Sequence, residues 1–105
     1  LSGHIDVNRW VELTSTAPAK IFGLFPRKGT LAPGSDADIV IFDGKKETVI
    51  SASTHHMNVD YSCYEGRRVV GQTVMVMSRG ELVIEDEEFV GRAGRGNYVK
   101  RKARQ

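Results

Sequence analysis

The run Ile39-Val40-Ile41-Phe42 limits what this chain can fold into more than any other feature. Along an extended strand, successive side chains point to opposite faces, so four consecutive large apolar residues put apolar surface on both sides and both sides need cover. The approach to the run is a tight turn: in Pro33-Gly34 the proline presets φ and the glycine takes the positive φ that follows. Glu47 to Ser51 gives a second candidate strand, and Arg67 to Gly71, Thr73 to Ser78 and Glu81 to Glu85 give three more, with Arg79-Gly80 as a two-residue hairpin connection. Five strands without a βαβ rhythm predict a mostly antiparallel sheet, or half of a sandwich.

The remaining material is too small to cover such a sheet. Residues 6–24 read as two short helices. Asp6 is the N-cap of the first, and Val7, Trp10, Val11 and Thr14 recur at helical spacing, which predicts a buried stripe holding Trp10. Thr16 is the expected cap of the second, with Pro18 in its first turn and Gly23 as its left-handed exit. Helices of two or three turns are marginal in water, so they too need a surface to lie on. A chain of 105 residues cannot hold a barrel of eight strands and eight helices, which takes about 250. The missing cover is expected from another part of the same protein or from a neighbouring subunit. That the chain opens on Leu1 rather than Met fits a segment of a longer polypeptide.

The formal net charge of +2 conceals a division. Residues 91–105 hold Arg92, Arg95, Lys100, Arg101, Lys102 and Arg104 with no acid, so residues 1–90 carry −4. Such a basic tail suits a solvated or subunit-bridging arm, and nucleic-acid binding is disfavoured because Tyr98 is its lone aromatic. A single cysteine, Cys63, cannot form an intramolecular disulfide, which points to a reducing cytoplasm. The apolar runs are strand-sized, far short of the roughly 20 residues that cross a bilayer.

A search for chemistry finds no set of catalytic, cofactor-binding or metal-ligating residues. His55, His56 and Asp60 form the one local cluster of metal-ligand types, but adjacent histidines on an extended chain diverge, and loop histidines bonded to backbone or packed at an interface are the expected reading. His4 stands alone. Asp36 and Asp38 sit between a turn and a strand, where aspartates accept backbone N–H bonds. Glu85, Asp86, Glu87 and Glu88 read as a solvated loop after a strand. Asp60 and Glu65 near Cys63 would raise a thiol pKa rather than activate it, and Gly91, Gly94 and Gly96 match no phosphate-binding loop.

The run Gly29-Thr30-Leu31-Ala32-Pro33-Gly34-Ser35-Asp36-Ala37-Asp38-Ile39-Val40-Ile41-Phe42-Asp43 resembles the C-terminal signature of the amidohydrolase superfamily. Asn8 to Leu24 with Pro26-Arg27-Lys28-Gly29, then Tyr64-Glu65-Gly66 and Gly94 to Arg101, resemble its cyclic-amide branch, the D-hydantoinases and dihydropyrimidinases. Gly44, where a proline is common, and Cys63 are the departures. The resemblance implies a metal-dependent TIM barrel, absent here, accompanied by a small β-sandwich. On that basis residues 1–26 are a helical segment from the end of the barrel, 27–90 part of the sandwich, and 91–105 a basic tail reaching across a homotetramer. The resemblance also implies two divalent metals, usually zinc, with a carbamylated lysine in the parent enzyme, and a metal-bound hydroxide that opens hydantoins or dihydropyrimidines. All of those ligands are expected upstream of Leu1, so this piece is scaffold and assembly surface, inactive alone. A non-enzymatic assembly protein related to dihydropyrimidinase and a small nucleic-acid-binding module using the Arg/Gly tail are the alternatives.

Overall fold

The computed structural model describes residues 3–103, so Arg104 of the tail lies outside the described residues. A helical segment runs from Val7 to Ile21, and a four-stranded antiparallel sheet follows in the order β1-β2-β3-β4, with β1 Ile39–Val49, β2 Arg68–Ser78, β3 Glu81–Glu85 and β4 Glu88–Phe89. The expected mainly β architecture with helices at the N-terminal end is present, with four strands where the residue pattern suggests five.

The two expected helices are one continuous helical run. α1, Val7–Val11, starts where Asp6 accepts the backbone N–H of Arg9 at 2.7 Å, as an N-cap should. It passes through a π-helical turn, Glu12–Thr16, into α2, Ala17–Ile21. Thr16 is therefore not an N-cap: its backbone is helical, and its hydroxyl donates instead to the Gly29 carbonyl at 2.8 Å. The physical cause is Pro18, which has no N–H to give and would crowd the carbonyl four residues back. The wider π turn accommodates it, and Thr14 Oγ1 donates to the Trp10 carbonyl at 2.8 Å. The C-terminus is a Schellman exit, with Leu24 N–H to the Ala19 carbonyl at 2.8 Å, Gly23 N–H to the Lys20 carbonyl at 3.3 Å, and Gly23 at φ +71°.

Likewise, the two candidate strands on either side of Gly44 are one. β1 pairs Phe42 with Thr73 and Asp43 with Gln72, then resumes with Glu47 opposite Val70, so Gly44, Lys45 and Lys46 bulge out opposite Gly71. Asp43 Oδ1 accepts the Lys45 N–H at 2.9 Å and turns the bulge. Gly71 sits at φ +111°, and a Cβ there would lie 2.5 Å from Phe42 Cζ. The Phe42 ring thus lies over bare backbone, and Trp10 packs on it with ring centroids 4.9 Å apart at 56°. This pair ties the helical segment to the sheet.

Two tight hairpins complete the sheet. Arg79 and Gly80 have φ of +49° and +78°, the left-handed pair that a type I′ turn requires, as the sequence predicts. Asp86 and Glu87, at +46° and +70°, make a second such turn between Glu85 and Glu88. The acidic group expected to be a solvated loop is a strand end, a hairpin turn and a short strand. It is exposed, but ordered by the ladder and by His56 Nε2, 2.9 Å from the Glu87 carbonyl oxygen.

The loop before β1 is held by charge. Lys28 Nζ pairs with Asp36 at 2.8 Å and also with Asp38, while Arg27 Nε reaches Asp36 at 3.1 Å. Asp38 Oδ1 accepts the Arg79 N–H at 2.9 Å, and the Gly80 N–H reaches the Ala37 carbonyl at 3.0 Å, so loop and hairpin are joined. The bond from Lys28, then that from Arg27, holds the Asp36 carboxyl below the ordinary aspartate range. Burial works against ionisation of Asp38, but its bonds from Lys28 and the Arg79 N–H outweigh it and the net shift is also downward.

Within this chain the sheet has almost no cover. Ala19, at 6% exposure, is the one buried hydrophobic residue among those described, whereas Val40 is 57% exposed, Ile41 46%, Val70 53%, and the expected stripe residues Val7 and Val11 are 56% and 48% exposed. The accessible surface is 8432 Å², against about 5,800 Å² for a self-contained monomer of 11.6 kDa. The radius of gyration is 15.5 Å, against about 13 Å for a compact domain of this length.

Three outcomes follow from this geometry. Glu87→Gly, which relieves a left-handed non-glycine, should stabilise the sheet by about 0.5–1 kcal/mol, read as a rise in the urea midpoint of a longer polypeptide in which the sheet is covered. Gly71→Val should destabilise it by about 2 kcal/mol or more, because the new side chain meets the Phe42 ring at an unfavourable φ. Because the folded pKa values of Asp36 and Asp38 are depressed, their stabilising effect is complete above the ordinary aspartate pKa of about 4 and is lost as pH falls through the lower folded values. The Asp36→Asn, Asp38→Asn double variant should remove that part of the acid dependence of the urea midpoint.

Candidate functional site

The structure gathers most of the polar residues singled out in the sequence into three places, in each of which a carboxylate is engaged by neighbouring groups of the chain. The first is the Lys28, Asp36 and Asp38 group before β1. Its two carboxylates do not face one another across an open space as an acid and a base would. They share one ammonium, and Asp38 spends its second oxygen on the Arg79 N–H. The Lys28 ammonium is disfavoured by partial burial, but the two aspartates reverse that and keep it protonated above the usual lysine range. A permanently charged triad with no free proton position cannot shuttle protons at neutral pH.

The second place is the long connection between β1 and β2, where His55, His56, Asp60 and Cys63 lie. Glu65 organises it: Oε1 accepts from Ser51 Oγ and Oε2 from the Ala52 N–H, both at 2.7 Å, and the bond from Ala52, followed by that from Ser51, lowers its pKa. The chain then closes with Gly66 N–H to the Ile50 carbonyl at 2.8 Å. His55 Nδ1 accepts the Met57 N–H at 3.1 Å and His56 reaches across to Glu87, so the two rings serve different backbone partners. Cys63 is exposed and free. Among the described residues no three His, Cys, Asp or Glu side chains come together in a way that could hold a metal ion.

The third place was not legible in the sequence. Residues 92–97 of the tail fold back on the β2–β3 hairpin. Glu81 accepts from Arg92 Nη2 and Arg95 Nε, each at 3.0 Å. Arg95 Nη2 donates to the Ser78 carbonyl at 2.6 Å, and Arg79 Nη2 donates to the Arg95 carbonyl. In the amide orientation that satisfies both of its ends, Asn97 Oδ1 accepts from Arg79 Nη1 at 2.6 Å. The hydrogen bond from Arg92 is the main reason the Glu81 carboxyl sits below the ordinary glutamate range. Farther along, Lys102 N–H reaches the Gly23 carbonyl at 2.8 Å, and the Lys102 carbonyl lies where a Gly23 side chain would be. The tail, read from the sequence as a solvated or subunit-bridging arm, is fastened to its own chain at 92–97 and again at 102, with Tyr98 standing out at 89% exposure between them. These partners lie 11 or more residues apart, which leaves no local spacing rule to detect them.

This chain is similar over nearly its whole length to known proteins. The D-hydantoinase of Streptomyces coelicolor is 56% identical over 101 residues, which is 96% of this chain and 22% of that enzyme. Among solved structures, D-hydantoinase from Bacillus sp. AR9 superposes with a TM-score of 0.93 at 54% identity over 98% of this chain and 23% of its own. Dihydropyrimidinase from Brevibacillus agri does so at 0.90 and 56%, over 94% and 22%. The chain thus spans less than a quarter of the length of the relatives it matches. The family model for the amidohydrolase family matches residues 2–83. With its turn-clamp-strand segment in place and near-complete superposition on hydantoinase structures, this chain belongs to the amidohydrolase family.

Proposed function

We propose that this chain is the C-terminal part of a cyclic amidohydrolase of the hydantoinase and dihydropyrimidinase type, and that it contributes scaffold and assembly surface rather than catalytic groups. The observation that carries this reading is the uncovered sheet. A chain that superposes closely on part of a longer enzyme, yet leaves apolar side chains exposed on both faces and an open β1 edge, is built to be completed by other strands. In this reading residues 1–26 lie at the end of the barrel and residues 27–90 complete a sandwich with strands from elsewhere in the same polypeptide. Residues 91–105 continue to a neighbouring subunit of a homotetramer, with exposed Tyr98 as the contact between the two fastenings.

The parent would open the ring of a hydantoin or dihydropyrimidine by adding water to an amide carbonyl. The two divalent metals this chemistry calls for, zinc in this reading, and their carbamylated lysine belong to the rest of that polypeptide. The side chains present here do not fit such a centre, since His55 and His56 serve separate backbone partners and the Asp36 and Asp38 carboxylates are held by Lys28. No step of the hydrolysis is therefore assigned to this chain. A reducing cytoplasm suits the exposed free thiol of Cys63, and among the described residues no helix is long and apolar enough to cross a membrane.

The test compares two products supplied with zinc or manganese: the 105-residue chain, and the longer polypeptide that carries this sequence. Ring opening of hydantoin or dihydrouracil is expected from the longer product alone, and the short chain should self-associate and bind an apolar dye. Turnover by the pure short chain would overturn the scaffold reading. A longer product that folds but opens neither ring nor binds metal would instead support the non-enzymatic relative.

A further inference from the structure

The fastening of residues 92–97 leaves an unbalanced charge cluster. Arg79, Arg92 and Arg95 line one concavity of about 330 Å³ together with Glu81 and Asn97. Glu81 is the sole carboxylate in that lining, so two positive charges are left without a counter-charge. Donors are also left over. Arg92 Nε and Nη1, Arg95 Nη1 and Arg79 Nε have no hydrogen-bond partner among the described residues.

Two of the three guanidinium groups are already fixed. The Arg95 side chain is only 14% exposed and anchored on Glu81 and the Ser78 carbonyl, and Arg79 is anchored on the Arg95 carbonyl and Asn97. The third, Arg92, is 73% exposed and free to adjust. Groups held in place before binding lose little freedom when a ligand arrives, and the guanidinium fork suits tetrahedral oxyanions through paired N–H bonds. The lining offers no aromatic or large apolar side chain, so nothing there would hold a nucleobase or an organic ring.

We propose that this concavity binds a phosphate dianion, as inorganic phosphate or as the head of a small phosphomonoester. Its charge matches the surplus. Arg79 belongs to the hairpin turn while Arg92 and Arg95 belong to the tail, so the bound anion bridges the two and tightens the tail on the sheet. The inference stands apart from the hydrolase reading, because ring opening and phosphate binding are measured separately.

The experiment uses the longer polypeptide that carries this sequence, titrated at constant ionic strength with inorganic phosphate, with glycerol phosphate, and with chloride as control. The readout is amide hydrogen exchange across residues 92–97, compared with exchange in the rest of the chain so that protection confined to this cluster is separated from stabilisation by phosphate bound elsewhere. Both phosphates should slow exchange there severalfold and chloride should not. Stronger protection by glycerol phosphate than by inorganic phosphate would identify the monoester as the better ligand, and the reverse order the free ion. Arg92→Gln should weaken the effect about tenfold, and Arg92→Lys, which keeps the charge but loses the fork, should weaken it nearly as much. Glu81→Gln should tighten phosphate binding by removing the competing carboxylate, the opposite of what a purely structural ion-pair cluster would show. Equal protection by chloride, or undiminished protection in Arg92→Gln, would overturn the proposal. So would an absence of any phosphate effect; a smaller assembly in Arg92→Gln would then give the cluster to a carboxylate of a neighbouring chain.

Discussion

A sheet with branched apolar side chains on both faces is stable only if something lies on each of them, and that requirement governs the rest of this structure. Ordering each residue costs roughly 1–2 kcal/mol of backbone entropy, and the main offset is apolar surface removed from water. Here Val40, Ile41 and Val70 stay about half exposed and Ala19 is the one buried hydrophobic residue among those described, so the offset must come from outside these residues. The local features make sense as preparation for contact with something else. The bulge opposite Gly71 bends β1 and seats Phe42, and Phe42 in turn gives Trp10 a surface.

The polar interactions play a different part. Exposed ion pairs are worth only about 0–1 kcal/mol each, too little to stand in for a missing core, yet Asp38 and Arg95, each in an ion pair, also bond to one hairpin turn. The Arg79 N–H is fixed by Asp38 and the Gly80 N–H by Ala37, while the Arg79 side chain is tied to Arg95 and Asn97. The turn therefore sits between the loop that precedes the first strand and the tail that follows the last, and each limits where the other can go. These contacts select a geometry; burial elsewhere must supply the stability.

What could be read in the sequence is what depends on neighbours along the chain. Asp6 three residues before Arg9, the glycine after α2, and Arg79-Gly80 all act within a few residues, and each does what its type predicts, whereas the aspartates after Pro33-Gly34 take their partners from Arg27, Lys28 and the distant Arg79 N–H rather than from their own turn. The misreadings share a cause. Pro18 and Thr16 suggest a helix start, but the π turn absorbs the proline without ending the helix. Gly44 and Gly71 each suggest a strand end, and they are opposed across one bulge. Asp86-Glu87 lacks the glycine that marks such turns, so β4 went unseen. The tail fastening and the Glu65 loop closure join residues 11 or more apart, and only the folded chain brings them together.

The join between the helical segment and the sheet is the point at which scaffold and chemistry would meet. Two of its ties are the Trp10–Phe42 ring pair and the loop clamp, in which Lys28, just past the helix, holds the two aspartates before β1. Neither tie is rigid enough to fix an angle unaided, because one ring pair contributes only about 0.5–1.5 kcal/mol beyond its buried area and the ion pairs are partly solvated. The angle must be set by whatever covers the exposed sides of Val7, Val11, Val40 and Ile41. If that cover is the rest of a cyclic amidohydrolase, then a substitution at Phe42 or Gly71 acts on catalysis only through how well the covered body closes, and should reduce the yield of folded, assembled enzyme while sparing turnover per folded site.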